Sequence, residues 1–151
     1  MRTRDQRLAA LVWAQVSQVP AEQIQQYGSA AHRLPILIRS TGLVQALAFM
    51  RSRNKDGVSR LIDDLAEAVL HLPSQLTDEK RTGEEKAPKH HGEALLAQSR
   101  DGDLSDYMLL TVRSLQTIGW MRRFVKSELH IEPTDDSDRG EPQIGAEHAT
   151  P

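Results

Sequence analysis

The chain has 151 residues, 38% of them hydrophobic and only 4% aromatic, with a formal net charge of -2 and no cysteine. That length holds one domain with a real core and is short for two, and a core poor in aromatics must be built from Leu, Ile, Val and Ala, which favours helices over sheets. The lack of cysteine excludes a disulfide framework and a thiolate metal site, and the near-neutral total argues against a free-standing nucleic-acid binder.

The small net charge conceals a gradient. Residues 1–60 carry nine Arg and Lys against three acids, residues 61–131 nine against twelve, and residues 132–151 one against six, so the local sums are +6, -3 and -5. A basic face on an otherwise balanced domain can still track phosphates inside an assembly.

In chain order, Leu8, Leu11, Val12, Val16 and Val19 recur at helical spacing before Pro20, which predicts a first helix over residues 3–19. Arg4 and Arg7 sit three apart on its first turns, where they read equally well as solvated charges or as contacts. A second helical pattern runs from about residue 21 to Leu34, and Pro35 is expected to open a new helix or mark a kink. Ile36, Leu37, Ile38, Leu43, Val44, Leu47 and Phe49 leave little polar face, which predicts a central, deeply buried helix with Gly42 inside it at a close packing point. His32 is read as a packed, hydrogen-bonded histidine.

Residues 51–57, Arg-Ser-Arg-Asn-Lys-Asp-Gly, form a basic turn. Val58, Leu61, Ile62, Leu65, Val69 and Leu72 then predict an amphipathic helix, with Arg60, Asp63, Asp64 and Glu67 on a wet face and Arg60 and Asp64 as an i,i+4 pair. Residues 73–92 read as a polar loop, and residues 93–98 as a short helix. Asp103 has the chemistry of an N-cap for a last helix over residues 104–129. Leu104, Tyr107, Met108, Thr111, Leu115, Ile118 and Val125 define one side of that helix, and Arg113, Gln116, Trp120 and Arg123 the other, with Phe124 beside them. Trp120 and Phe124 are candidates for a protein interface, because Trp and Arg together are residue types that interfaces enrich, although for Trp120 the core is the leading reading, since indoles are mostly buried in a small domain. From residue 132 the composition is acidic and almost free of large apolar groups, which predicts a disordered tail. The expected architecture is an all-α, compact single-domain bundle of five or six helices spanning residues 1–131, followed by the tail over residues 132–151.

Enzyme chemistry has little to stand on. His90 and His91 are adjacent but no HExxH, HxxxH or HxH spacing exists, and GxxxxGK[ST], GxGxxG and GxSxG are all absent. The carboxylates Asp63, Asp64 and Glu67 could serve a metal-dependent nuclease, but they fit a helix face as well. No cofactor or metal is expected, and no apolar run is long enough for a membrane span, so the chain reads as soluble and cytoplasmic.

Residues 3–11 and 27–49, the second of which combines Gly28, His32, Arg33, Pro35, Arg39 and Gly42 with helical apolar spacing, resemble the small α-helical subunit of Cmr complexes, the type III-B CRISPR effectors that target RNA. The resemblance implies a non-catalytic subunit that stacks in several copies beside the backbone subunits. There it would line the channel that holds guide RNA paired to target RNA, with antiviral defence as the outcome. Its partners would be other Cmr subunits, copies of itself and the two RNAs, and its arginines would contact phosphates without reading bases. The candidates for phosphate contact are Arg4, Arg7, Arg33, Arg39, Arg51, Arg53 and Lys55 from the basic front, with Arg113 and Arg123 from the last helix. Two alternatives come from other classes: a helical adaptor or dimeric DNA-associated regulator, and a small metal-dependent ribonuclease using Asp63, Asp64 and Glu67.

Overall fold

The computed structural model describes residues 1–72 and 91–133, and its regular elements are helical throughout that range. Helix α1 spans Arg4–Ser17 and starts on a reciprocal cap, in which the Gln6 amide donates to the Thr3 hydroxyl while the Thr3 amide donates to the Gln6 side chain. Its Leu8, Val12 and Val16 face the core as their spacing requires. After Pro20 a single 3-10 turn, Ala21–Gln23, leads into α2, Ile24–Thr41.

Two expectations for this region are corrected. Pro35 neither opens a helix nor ends one: it lies buried inside α2, which continues to Thr41. A mid-helix proline forfeits one backbone hydrogen bond and costs about 3 kcal/mol, yet Leu34 and Ile38 on either side are both sunk in the same core, so packing outweighs the local preference. The break falls at Gly42, where φ is +86° and ψ 162°, a region only glycine occupies without strain. A Cβ there would also stand 2.8 Å from the Tyr107 hydroxyl, so the close approach expected at Gly42 exists but at a junction rather than within a helix.

Helix α3, Leu43–Ser52, follows directly and buries Leu43, Ala46, Leu47 and Met50, while Phe49 and, on α2, Ile36 are each 44% exposed. The stretch is therefore two half-buried helices, not one central rod. Asn54, at φ 51°, turns the chain into α4, Asp56–His71. The expected loop over residues 73–92 lies outside the described residues except at its end, where His91 and Gly92 already belong to α5, His91–Asp101. Helix α6, Leu104–Glu128, starts on Asp103, whose carboxylate accepts from the Asp106 amide at 2.8 Å.

The six α-helices of the described residues contribute to one apolar cluster in which Tyr27, Leu34, Leu43, Leu61, Leu65, Leu95, Ile118 and Met121 are fully buried. Helix α6 packs along α1 and α2, and α4 is sandwiched against α2 and α5. Past α6, His130 takes a left-handed conformation at φ 58° and sends the chain back over α2. Ile131 settles on Gly28, where any side chain would meet it at 2.8 Å, and its carbonyl accepts from His32 Nε2 at 2.8 Å. Most of the expected acidic tail, residues 134–151, lies outside the described residues.

Candidate nucleic-acid interface

The basic turn and α2 make one concave site. Gln26 on α2 accepts the Gly57 amide at 2.9 Å, which ties the first turn of α4 to the first turn of α2. With that contact fixed, Arg53 at the end of α3 and Lys55 at the head of α4 stand across from Arg33, around a cleft of about 240 Å³ whose remaining polar walls are Gln25, Gln26 and Ser29. Among the described residues no carboxylate lines it. The positive end of the 16-residue α4 dipole lies at the same rim, adding to the three side-chain charges. The Arg53 guanidinium also lies 6.0 Å from the centroid of the exposed Phe49 ring, an arrangement that offers an unstacked base an aromatic face beside a cation. Chemically, the cleft can hold an anion of phosphate type by charge and by amide and hydroxyl hydrogen bonds.

The other candidate cations are dispersed. Arg51 points away from the cleft and pairs with Glu93 on α5. Arg4 and Arg39 are exposed, at the first turn of α1 and the last turn of α2. Arg7 is half-buried, with Nη1 lacking a hydrogen-bond partner among the described residues. Arg113, with Nε in the same condition, lines a different and larger cleft of about 530 Å³ where Asp101 and Asp106 offset its charge among Leu109, Leu110 and Val69. Arg123 lies over the Trp120 ring at 5.2 Å, and Trp120 stacks on Phe124 at 5.8 Å, with both rings half-buried against the core. Of the nine cations named from sequence, the structure gathers Arg33, Arg53 and Lys55.

The supposedly wet face of α4 is occupied. Asp63 accepts the Gly92 amide at 2.9 Å, Asp64 accepts the Tyr27 hydroxyl at 2.7 Å, and Glu67 accepts from the Gln15 side chain at 3.0 Å. Arg60 does not close on Asp64 but donates to the Gln18 carbonyl at 3.1 Å. The face is half-buried because α1, α2 and α5 all converge on α4, which a one-helix pattern cannot reveal. Burial raises the Asp64 carboxyl to about 6, and burial followed by the nearby Asp64 charge holds the Tyr27 hydroxyl well above its ordinary range. Among the described residues no group of three or more His, Asp or Glu is arranged to hold a metal; His91 instead meets His71 with ring nitrogens 3.1 Å apart.

Sequence reasoning also misplaced the apolar faces of α6. Its buried track is Leu110, Ser114, Thr117, Ile118, Met121 and Val125, whereas Leu104, Met108 and Val112 are 73%, 59% and 52% exposed. Helical spacing was a correct signal of a stripe, but the face that meets the core is a different one from that of Leu104, Met108 and Val112. Among the described residues no helix is long and apolar enough to cross a membrane.

A small all-α bundle that presents one cationic concavity, with an exposed apolar track on its longest helix, is the class that fold and site define. The family model for the CRISPR-associated protein Cas_Cmr5 matches residues 4–128. The chain is 30% identical over 128 residues to the CRISPR system Cmr subunit Cmr5 of Thermus thermophilus, covering 84% of this chain and 96% of that one. It superposes with a TM-score of 0.67 and 29% identity on the crystal structure of a Cmr5 family protein from the same organism, covering 83% of this chain and 97% of the other. The chain therefore belongs to the Cmr5 family of CRISPR-associated proteins, which bears out the resemblance carried by residues 3–11 and 27–49.

Proposed function

We propose that the chain is the non-catalytic small subunit of a type III-B CRISPR (Cmr) ribonucleoprotein complex in the cytoplasm, stacked with copies of itself along the backbone subunits, and that its basic cleft holds guide and target RNA by their phosphates. Family membership supports the assembly. The observation that carries the RNA reading is the convergence of Arg33, Arg53 and Lys55 on a cleft without a carboxylate among the described residues. Sequence specificity is left to base pairing by the guide, and the protein contributes salt-sensitive affinity and orientation. The non-catalytic reading is supported by the carboxylates Asp63, Asp64 and Glu67, each of which is bound to a separate protein donor instead of sharing a cavity.

The test is R33Q/R53Q/K55Q, introduced together into the assembled complex. Target-RNA capture is expected to weaken, and the log-log salt slope to fall by about 0.7 to 0.9 for each lost phosphate contact, or about 2 to 3 in all. Because Arg51 is paired with Glu93, R51Q is expected to change that slope by less than any cleft substitution. Capture with an unaltered slope in the triple variant would remove the cleft from the RNA path.

A further inference from the structure

Sequence spacing shows no metal motif, yet the fold brings two distant imidazoles together. His71 ends α4 and His91 opens α5, twenty residues later, and both are half-buried. His71 Nε2 and His91 Nδ1 stand 3.1 Å apart. Two imidazoles on one cation, each at a metal–nitrogen distance of about 2.0–2.1 Å, place their ligating nitrogens about 2.8 to 3.4 Å apart for angles between octahedral and tetrahedral. The spacing of the rings separates this arrangement from a simple hydrogen bond. A straight bond of 3.1 Å, with each nitrogen aimed at the other, holds the ring centroids about 5.4 Å apart, whereas rings aimed at a cation beside the N–N line bring them to about 4.8 Å. The observed separation is 4.7 Å, with the ring planes at 67°.

We propose that His71 Nε2 and His91 Nδ1 together bind one divalent cation of the imidazole-preferring class, zinc, nickel or copper, with water completing its coordination. Two protein ligands fall short of the three or four of a resident zinc centre, so this is an exchangeable clamp and not a catalytic or structural metal centre. In the hydrogen-bonded pair one facing nitrogen carries a proton and the other accepts it. Moving that proton to the second nitrogen of its own ring turns both facing atoms into lone pairs, so the cation enters without net loss of a proton. Bound there, it closes the chain between residues 71 and 91 and fixes the head of α5 against the end of α4. Glu93, two residues further along α5, is the partner that draws Arg51 away from the basic cleft, so the clamp steadies that pairing as well. The inference stands whether or not the cleft holds RNA.

The experiment titrates zinc chloride into the full-length chain without an affinity tag, with magnesium chloride as the control, and reads the histidine ring nitrogens by NMR, the stoichiometry by calorimetry and Tm by thermal melting. In the wild-type protein one equivalent of zinc is expected to shift His71 Nε2 and His91 Nδ1 and to raise Tm by about 2–5 °C when zinc is in roughly tenfold excess over its Kd. Magnesium, which prefers oxygen ligands, is expected to do neither. H71Q and H91Q are each expected to weaken zinc binding about tenfold or more, whereas H130Q, at an exposed histidine elsewhere, keeps it. The wild-type ring signals decide the matter even if a variant folds poorly. Zinc that leaves both nitrogens unshifted, that shifts other histidines instead, or that is matched by magnesium would overturn the proposal and leave the pair as a hydrogen bond only.

Discussion

Asp64 sets a pH dependence that one substitution can isolate. Its folded-state value of about 6 lies above the ordinary 3.8, so the folded protein binds this proton more tightly than the unfolded chain does. The group therefore costs stability above pH 6, and the cost fades as the pH falls from 6 toward 4. A shift of about two units corresponds to roughly 3 kcal/mol. D64N keeps an acceptor for the Tyr27 hydroxyl and removes the titration. Relative to D64N, the wild-type protein is expected to gain about 2–3 kcal/mol between pH 7.5 and pH 4, measured by urea unfolding of both proteins at each pH. Parallel curves would show that Asp64 is solvated in the native state.

At the scale of elements, the path of the chain turns on Gly42. Alanine there would combine a disallowed φ with a Cβ pressed on the Tyr107 hydroxyl, and G42A is expected to cost about 2–3 kcal/mol, lowering Tm by roughly 5–10 °C in a thermal melt. A drop below 2 °C would mean that the α2–α3 junction adjusts freely. This junction also marks what the sequence could and could not disclose. Caps and periodicities were legible: Thr3 with Gln6, Asp103 with Asp106 and the apolar spacing of α1 and α4 each depend on residues within one helix. Pro35 and Gly42 share a single segment, and local propensity ranks proline as the stronger breaker; only the burial of Leu34 and Ile38 reverses that order. The candidate site was partly legible for the same reason. The basic turn stood out as a run of charges, but its partner Arg33 and the diversion of Arg51 to Glu93 depend on contacts between helices.

For the whole molecule, the distribution of charge and the exposed track on α6 bear on assembly. Leu104, Met108 and Val112 recur every four residues and are each at least half exposed, a stripe that a solitary protein in water has little reason to keep. Asp103 and Asp106 sit at its head, while the first sixty residues carry a charge of +6, so a head-to-tail neighbour of the same kind would bring opposite signs together around an apolar centre. On the stacking proposed above, the stripe is expected to meet the next copy. M108E/V112E is expected to leave the isolated chain folded, since exposed substitutions shift stability by only about 0.5 kcal/mol, or a degree or two in Tm. In the complex, two charges facing an apolar partner are expected to reduce the number of small subunits recovered per backbone subunit, read by native mass spectrometry. The isolated variant's melt separates this outcome from misfolding. An undiminished ratio would show that the α6 stripe faces no neighbouring copy.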